Sequence, residues 1–175
     1  MKPRTTHRDS SNPLVQAFSN WGFSWGGLID NRRGEWWLIG QVAFIAAHLL
    51  PPWPSLKTLG VSWPLPVELC GACLFFLGAI LIAEAFLQIG ASLSPLPEPK
   101  PGAVLVTNGP YRRCRHPLYQ ALLITSSGVV ISFGSLTHLL LLIGLCTLLI
   151  GKAKREETKL LLLHPGYFSY MSKTP

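Results

Sequence analysis

The apolar positions of this chain fall in four runs set between polar, proline-rich stretches. Trp36 to Leu50 opens on a Trp pair, a residue type that collects at membrane interfaces, and Pro51-Pro52-Trp53-Pro54 ends it. Val67 to Ile89 is a full-length span, close to the twenty or so residues a bilayer requires. Leu118 to Phe133 and Leu136 to Ile150 are shorter and separated by Gly134-Ser135. That spacing predicts two antiparallel helices joined by a tight turn, each extending beyond the hydrocarbon at its other end. A re-entrant pair would have to hide Leu139 to Leu142 from lipid for no evident reason. Ahead of these runs, Leu14 to Ile29 is rich in aromatics but broken by Gly22, Gly26 and Gly27, and reads as an interfacial segment lying on the membrane.

Charge orients the runs. With four spans, fourteen of the fifteen Lys and Arg residues fall on one side, in the N-terminal arm, the central loop and the tail; Lys57 stands opposite. The positive-inside rule reads this as both termini cytoplasmic, and an odd number of spans would scatter the charge. The expected fold is therefore an all-α integral membrane protein of about four transmembrane helices, with a C-terminal helical hairpin. Composition agrees: 49% of residues are hydrophobic and 13% charged, too greasy for an ordinary soluble domain. The net charge of +7 sits beside apolar runs, which favours the membrane surface over nucleic acid as its partner. Met1 to Pro13 is polar and shows no secretory h-region. Cys70 and Cys73 lie three apart within an apolar run, where small-residue packing is a better reading than metal or redox chemistry, so no metal is expected.

Two polar stretches meet on the basic side. One is the loop from Gly90 to Pro117, with a stiff Ser94 to Pro101 tract, a turn at Asn108-Gly109-Pro110, and Arg112-Arg-Cys-Arg-His-Pro-Leu-Tyr119 at the mouth of the third run. The other is Lys152 to Lys159, leaving the fourth. A hairpin turning between Gly134 and Ser135 sets His116 level with Ala153 and Arg113 level with Glu156. His116, Tyr119, Lys152 and Glu156 then fall within about two helical turns of one another, and Lys152 and Glu156 share a face. The bland alternative is a solvated salt bridge from Glu156 to Lys152 or Arg113.

At these residues the chain resembles the isoprenylcysteine carboxyl methyltransferase family, part of a wider group with phospholipid N-methyltransferases. The match is Leu105-Val-Thr-Asn-Gly-Pro-Tyr-Arg-Arg-Cys-Arg-His-Pro-Leu-Tyr119, then the hairpin, then Glu156-Glu157-x-x-Leu160 and Tyr167-x-x-Tyr170. Ala121, the His164-Pro165-Gly166 run and Lys152 depart from the usual pattern. The resemblance implies a cytoplasmic cofactor pocket with S-adenosylmethionine as cofactor, held by Ala103, Val104, Leu105, Val106, Tyr111, His116, Pro117, Leu118, Tyr119 and Glu156, with Lys152 steering an acceptor's carboxylate. It implies a lipid-soluble or prenylated acceptor. The residue types suit that donor: aromatic faces for a sulfonium, Glu156 and His116 for ribose and amino groups, and Arg112, Arg113 or Arg115 for a carboxylate.

The division expected is an arm over 1–34, two transmembrane helices over 35–89, and a methyltransferase core over 90–175. A membrane NADPH-dependent reductase related to sterol reductases and a non-catalytic scaffold are the competing functions. Glu84 lies within the second run near its cytoplasmic end, either facing the site or snorkelling to the interface. His48 and His138 read as structural, and Tyr167 and Tyr170 as interface anchors more than a lid.

Overall fold

The computed structural model describes residues 29–100 and 102–175. The arm before Ile29, with nearly all of the expected interfacial segment, lies outside the described residues. Among the described residues the chain is helical, with no strand: α1 (Glu35–Ala47), α2 (Leu65–Ile89), α3 (Pro117–Phe133), α4 (Leu136–Leu163) and α5 (Tyr167–Lys173).

Local chemistry sets the ends. α1 stops at Ala47, three residues before the expected end, because the approaching Pro51-Pro52 pushes the preceding backbone out of the helical region. Pro66 and Pro117 sit in the first turns of α2 and α3, where a missing N–H costs nothing. Gly134 closes α3 at φ 53, a left-handed conformation that glycine adopts without strain. The tight turn of the hairpin is therefore as expected. α4 runs on to Leu163, carrying the whole Lys152 to Lys159 stretch on its helix.

Among the described residues, two helices are long and apolar enough to cross a membrane, α2 with its continuing turn (Leu65–Ser92) and α4; α1 and α3 are shorter apolar helices. Large apolar side chains point outward, Leu87 and Leu162 each 78% exposed, the reverse of a soluble protein's surface. What the helices bury against one another is small. A Cβ on Gly71 would lie 2.4 Å from the Ser132 nitrogen, one on Gly78 2.6 Å from that of Thr125, and one on Gly128 2.4 Å from that of Phe75. The α2 and α3 backbones are thus in near contact, the packing that membrane helices use in place of a hydrophobic driving force. Cys70 and Cys73 are not part of this seam; both are exposed, and the cysteines of the described residues are unpaired.

α1 packs on α4 by rings entering notches, Phe44 against Gly144 and Trp37 against Gly151. At the end remote from the basic loops, the 51–59 connection is tied to the hairpin turn. Leu56 N–H donates to the Gly134 carbonyl at 3.0 Å, Leu136 N–H to Pro54 at 3.2 Å, and the Trp63 indole to Ile131 at 2.7 Å. His48, just past α1, and His138 on α4 meet in a T-shaped arrangement, ring centroids 5.9 Å apart. His48 bonds Ser126 through Nε2 and the Phe44 carbonyl through Nδ1, and His138 lies buried against it.

Candidate functional site

The polar groups of the hairpin's open end meet across α3 and α4. His116, the residue before α3, places Nε2 2.9 Å from Glu157 Oε1, and that oxygen also accepts from Arg115 Nη1 at 2.9 Å. A carboxylate only accepts, so Nε2 donates to Glu157, and Nδ1 lies 3.8 Å from Glu156 Oε2. Tyr119 donates to that same Glu156 oxygen at 2.9 Å. Its ring stacks parallel on the imidazole, centroids 5.1 Å apart. One turn of α3 and one of α4 thus fix an imidazole, a phenol, two carboxylates and a guanidinium.

The partners lie about one turn further along α4 than equal depth predicts: His116 meets Glu157, not Ala153. Side chains lean toward the N-terminus of their own helix, so α4 groups reach inward while α3 groups reach outward, and contacting pairs shift accordingly. Glu156 pairs with neither Lys152 nor Arg113. Lys152 is 1% exposed and donates to Gln41 Oε1 at 2.5 Å and to the Pro95 carbonyl at 2.8 Å, with its ammonium 5.4 Å from the Tyr119 ring centroid. It joins α1, α4 and the proline tract, and Leu96 and Pro97 are buried beside it.

The loop and the tail cover this cluster. A cleft of about 70 Å³ is lined by Ala103, Val104, Leu105 and Val106 from the loop, Tyr111, Arg115, His116, Glu156, Leu160 and His164, and Tyr167 and Tyr170 from α5. Tyr170 donates to the Tyr111 carbonyl at 2.5 Å, fastening α5 over the cleft. Tyr167 is 1% exposed, yet its hydroxyl has no partner, and neither does Arg115 Nε. Burial holds the Tyr111, Tyr167 and Tyr170 phenols above their ordinary range, reinforced at Tyr111 by the Glu156 carboxylate and at Tyr167 by Glu157.

A family model described as phospholipid methyltransferase matches residues 67–163, more than half of the chain. The chain belongs to the phospholipid methyltransferase family. Membership implies methyl-transfer chemistry in general and agrees with the two long apolar helices in placing the chain in a membrane. No curated protein and no solved structure matches it.

Within this family member, the structure gathers most of the residues singled out from sequence. Ala103 to Val106, Tyr111, His116 and Glu156 share the cleft, and Tyr119 reaches it through Glu156. Pro117 instead faces a second cavity toward α2, and Leu118 lines neither. Of the three arginines, Arg115 enters the cleft while Arg112 and Arg113 border that second cavity. Tyr167 and Tyr170 turn inward as cover and do not anchor the surface; Phe168, 68% exposed, is the outward aromatic. Gln41 escaped sequence reasoning altogether. The signal for it was a lone amide in the apolar first run, one turn past Trp37. No cluster able to hold a metal ion occurs among the described residues.

Proposed function

We propose that the chain is an integral membrane S-adenosylmethionine-dependent methyltransferase, isoprenylcysteine carboxyl methyltransferase-like, acting on a carboxylate or amine of a lipid-soluble acceptor. The observation that carries this reading is the covered cleft at the hairpin's open end. There the buried Tyr167 hydroxyl and Arg115 Nε stand without partners beside Glu156 and His116. Unmet buried polar groups in a concave site are what a bound polar molecule would satisfy. Glu156 and Tyr167 would take the hydroxyls and amino group of the nucleoside, Arg115 the carboxylate, and the faces of Tyr111 and Tyr119 the sulfonium. Bound there, the donor supplies an electrophilic methyl. Ala103 to Val106 would wall the nucleoside, with Pro117 and Leu118 supporting the turn that carries His116. A space of about 70 Å³ is smaller than a nucleoside, so the loop must swing outward on loading.

The chain's own groups then have distinct work. Glu157 and Arg115 hold His116 in one orientation, leaving Nδ1 to receive a proton when the acceptor is an amine. A carboxylate acceptor needs no base, and Lys152, beside the Tyr119 ring, would orient it. An apolar cavity of about 720 Å³ between α1, α2 and α3, lined by Leu122, Val129, Phe75 and Phe133 among others, offers room for an acceptor's hydrocarbon. The family's name suggests a lipid substrate. We place four helices across the bilayer with both termini on the basic, cytoplasmic side, and keep 1–34 as arm, 35–89 as the first two spans and 90–175 as the catalytic core.

In detergent, S-adenosylhomocysteine should raise the melting temperature and NADPH should not. Glu156→Gln and His116→Ala should each abolish that rise while the protein still inserts. A rise with NADPH alone would make the chain a reductase, and a rise with neither would leave a scaffold.

A further inference from the structure

The end of α4 carries apolar side chains that neither the cleft nor the helix packing uses. Past the polar 152–159 stretch its last turn is 160–163, where Leu161, Leu162 and Leu163 are exposed, Leu162 by 78%. Phe168 in α5 is exposed as well, while its neighbour Tyr167 is buried in the cover. Leu162 lies twelve residues past Ile150, where the fourth apolar run ends, or about 18 Å along the helix. The headgroup layer is only about 5–8 Å deep on each side of the hydrocarbon. On the proposed topology these leucines stand clear of lipid, in water, where a group of large apolar side chains marks a binding surface. The chain's own entry into α1 passes the same place. Arg155 donates through Nη2 to the Arg32 carbonyl at 3.1 Å. Arg155 and Leu162 are seven residues apart, so they share one face of α4, about 10 Å apart along it. Gly34 is held as closely, since a Cβ there would lie 2.4 Å from the Pro97 ring. The arm therefore leaves from beside Arg155.

From this geometry we infer that residues 14–28 of the arm dock in cis on Leu161, Leu162, Leu163 and Phe168, backing the α5 cover from outside. Reach allows it: Trp25 is seven residues from Arg32, a span of up to about 24 Å, and Leu162 is nearer than that to Arg155. Composition favours it. The segment carries Leu14, Phe18, Trp21, Phe23, Trp25 and Leu28, and no charged residue. Helices that lie on a bilayer set Lys and Arg against the headgroups, and this segment has none to set. A second copy is the poorer occupant. The end of α4 presents Lys154, Arg155 and Lys159, while Glu156 and Glu157 turn inward to Tyr119, His116 and Arg115. A two-fold contact would set those cations against one another, and an uncharged segment of the same chain meets the leucines without that cost.

The test is photo-cross-linking of the full chain in lipid nanodiscs, with p-benzoylphenylalanine in place of Leu162 or, separately, of Phe168. Trypsin cuts after Arg8 and Arg32 and releases 9–32 as one peptide, so capture of the arm is read directly by mass spectrometry. Both positions should capture that peptide, and Leu77, on the exposed side of α2, should not. In a mixture of unlabelled and nitrogen-15-labelled protein, every cross-link should join peptides of one label. Replacing Trp21, Phe23 and Trp25 together by Ser should cut the yield by at least about tenfold, because the aromatics and not the tether make the contact. Capture of lipid alone, cross-links of mixed label, equal capture at Leu77, or a yield unchanged by the triple replacement overturns the inference. Stabilisation by S-adenosylhomocysteine is measured on the unsubstituted protein in the same nanodiscs. Its absence would sink the methyltransferase reading and leave the cross-link standing on its own.

Discussion

Lys152 shows how much one buried cation organises. Its ammonium has two oxygen partners, from Gln41 and Pro95, on two other parts of the chain. Gln41→Leu should therefore destabilise by about 1–3 kcal/mol, since it strips a partner from a charge without removing the charge; chemical denaturation in detergent would measure it. Tyr119→Phe removes one hydrogen bond to Glu156 and keeps the stack on His116. It should weaken S-adenosylhomocysteine binding by several-fold and leave the melting temperature of the ligand-free protein within a few degrees. The tyrosines add a dependence on pH. Tyr111 and Tyr167 have folded-state values raised above the unfolded value of about 10, so the folded chain holds these protons more tightly. Their stabilisation is complete below about pH 10 and is lost as pH climbs through the folded values. Melting temperature should fall above that point, less steeply in Tyr111→Phe.

Among the elements, the α2–α3 seam is the place where a small change should do most harm. Gly78 has no room for a methyl, because besides the Thr125 hydroxyl it would meet the Thr125 backbone nitrogen at 2.6 Å and Cα at 2.9 Å, which cannot turn aside. Gly78→Val should cost more than about 3 kcal/mol and reduce the folded yield in size-exclusion profiles, whereas Gly60→Ala, with nothing within 4 Å, should not change the yield despite its positive φ. This seam was not legible from the apolar runs, which report length and hydropathy but not which small residues meet. The hairpin was legible, because two runs separated by Gly134-Ser135 leave the chain little else to do. So was the gathering of His116, Tyr119 and Glu156 at its open end. The assignment of partners was not. Equal-depth counting ignores the lean of side chains along each helix, and so it missed Glu157 as the acceptor for His116. Lys152 was singled out, but its burial beneath the proline tract depends on Gln41 and Pro95, which are 111 and 57 residues away in sequence.

At the scale of the molecule, the described chain is two pairs of helices consecutive in sequence, α1 and α2, then α3 and α4, which pack across one another, α2 on α3 and α1 on α4, with the polar cluster at one end and a plain turn at the other. The bonds from Leu56 to Gly134 and from Leu136 to Pro54 are main-chain bonds between the two turns. On the proposed four-span topology, a chain that delivered one pair across the bilayer and left the other behind would part those donors from their acceptors. Biogenesis on that topology has to treat both pairs as a single cargo. The loop around Lys57 and the Gly134-Ser135 bend would then have to arrive in the same leaflet.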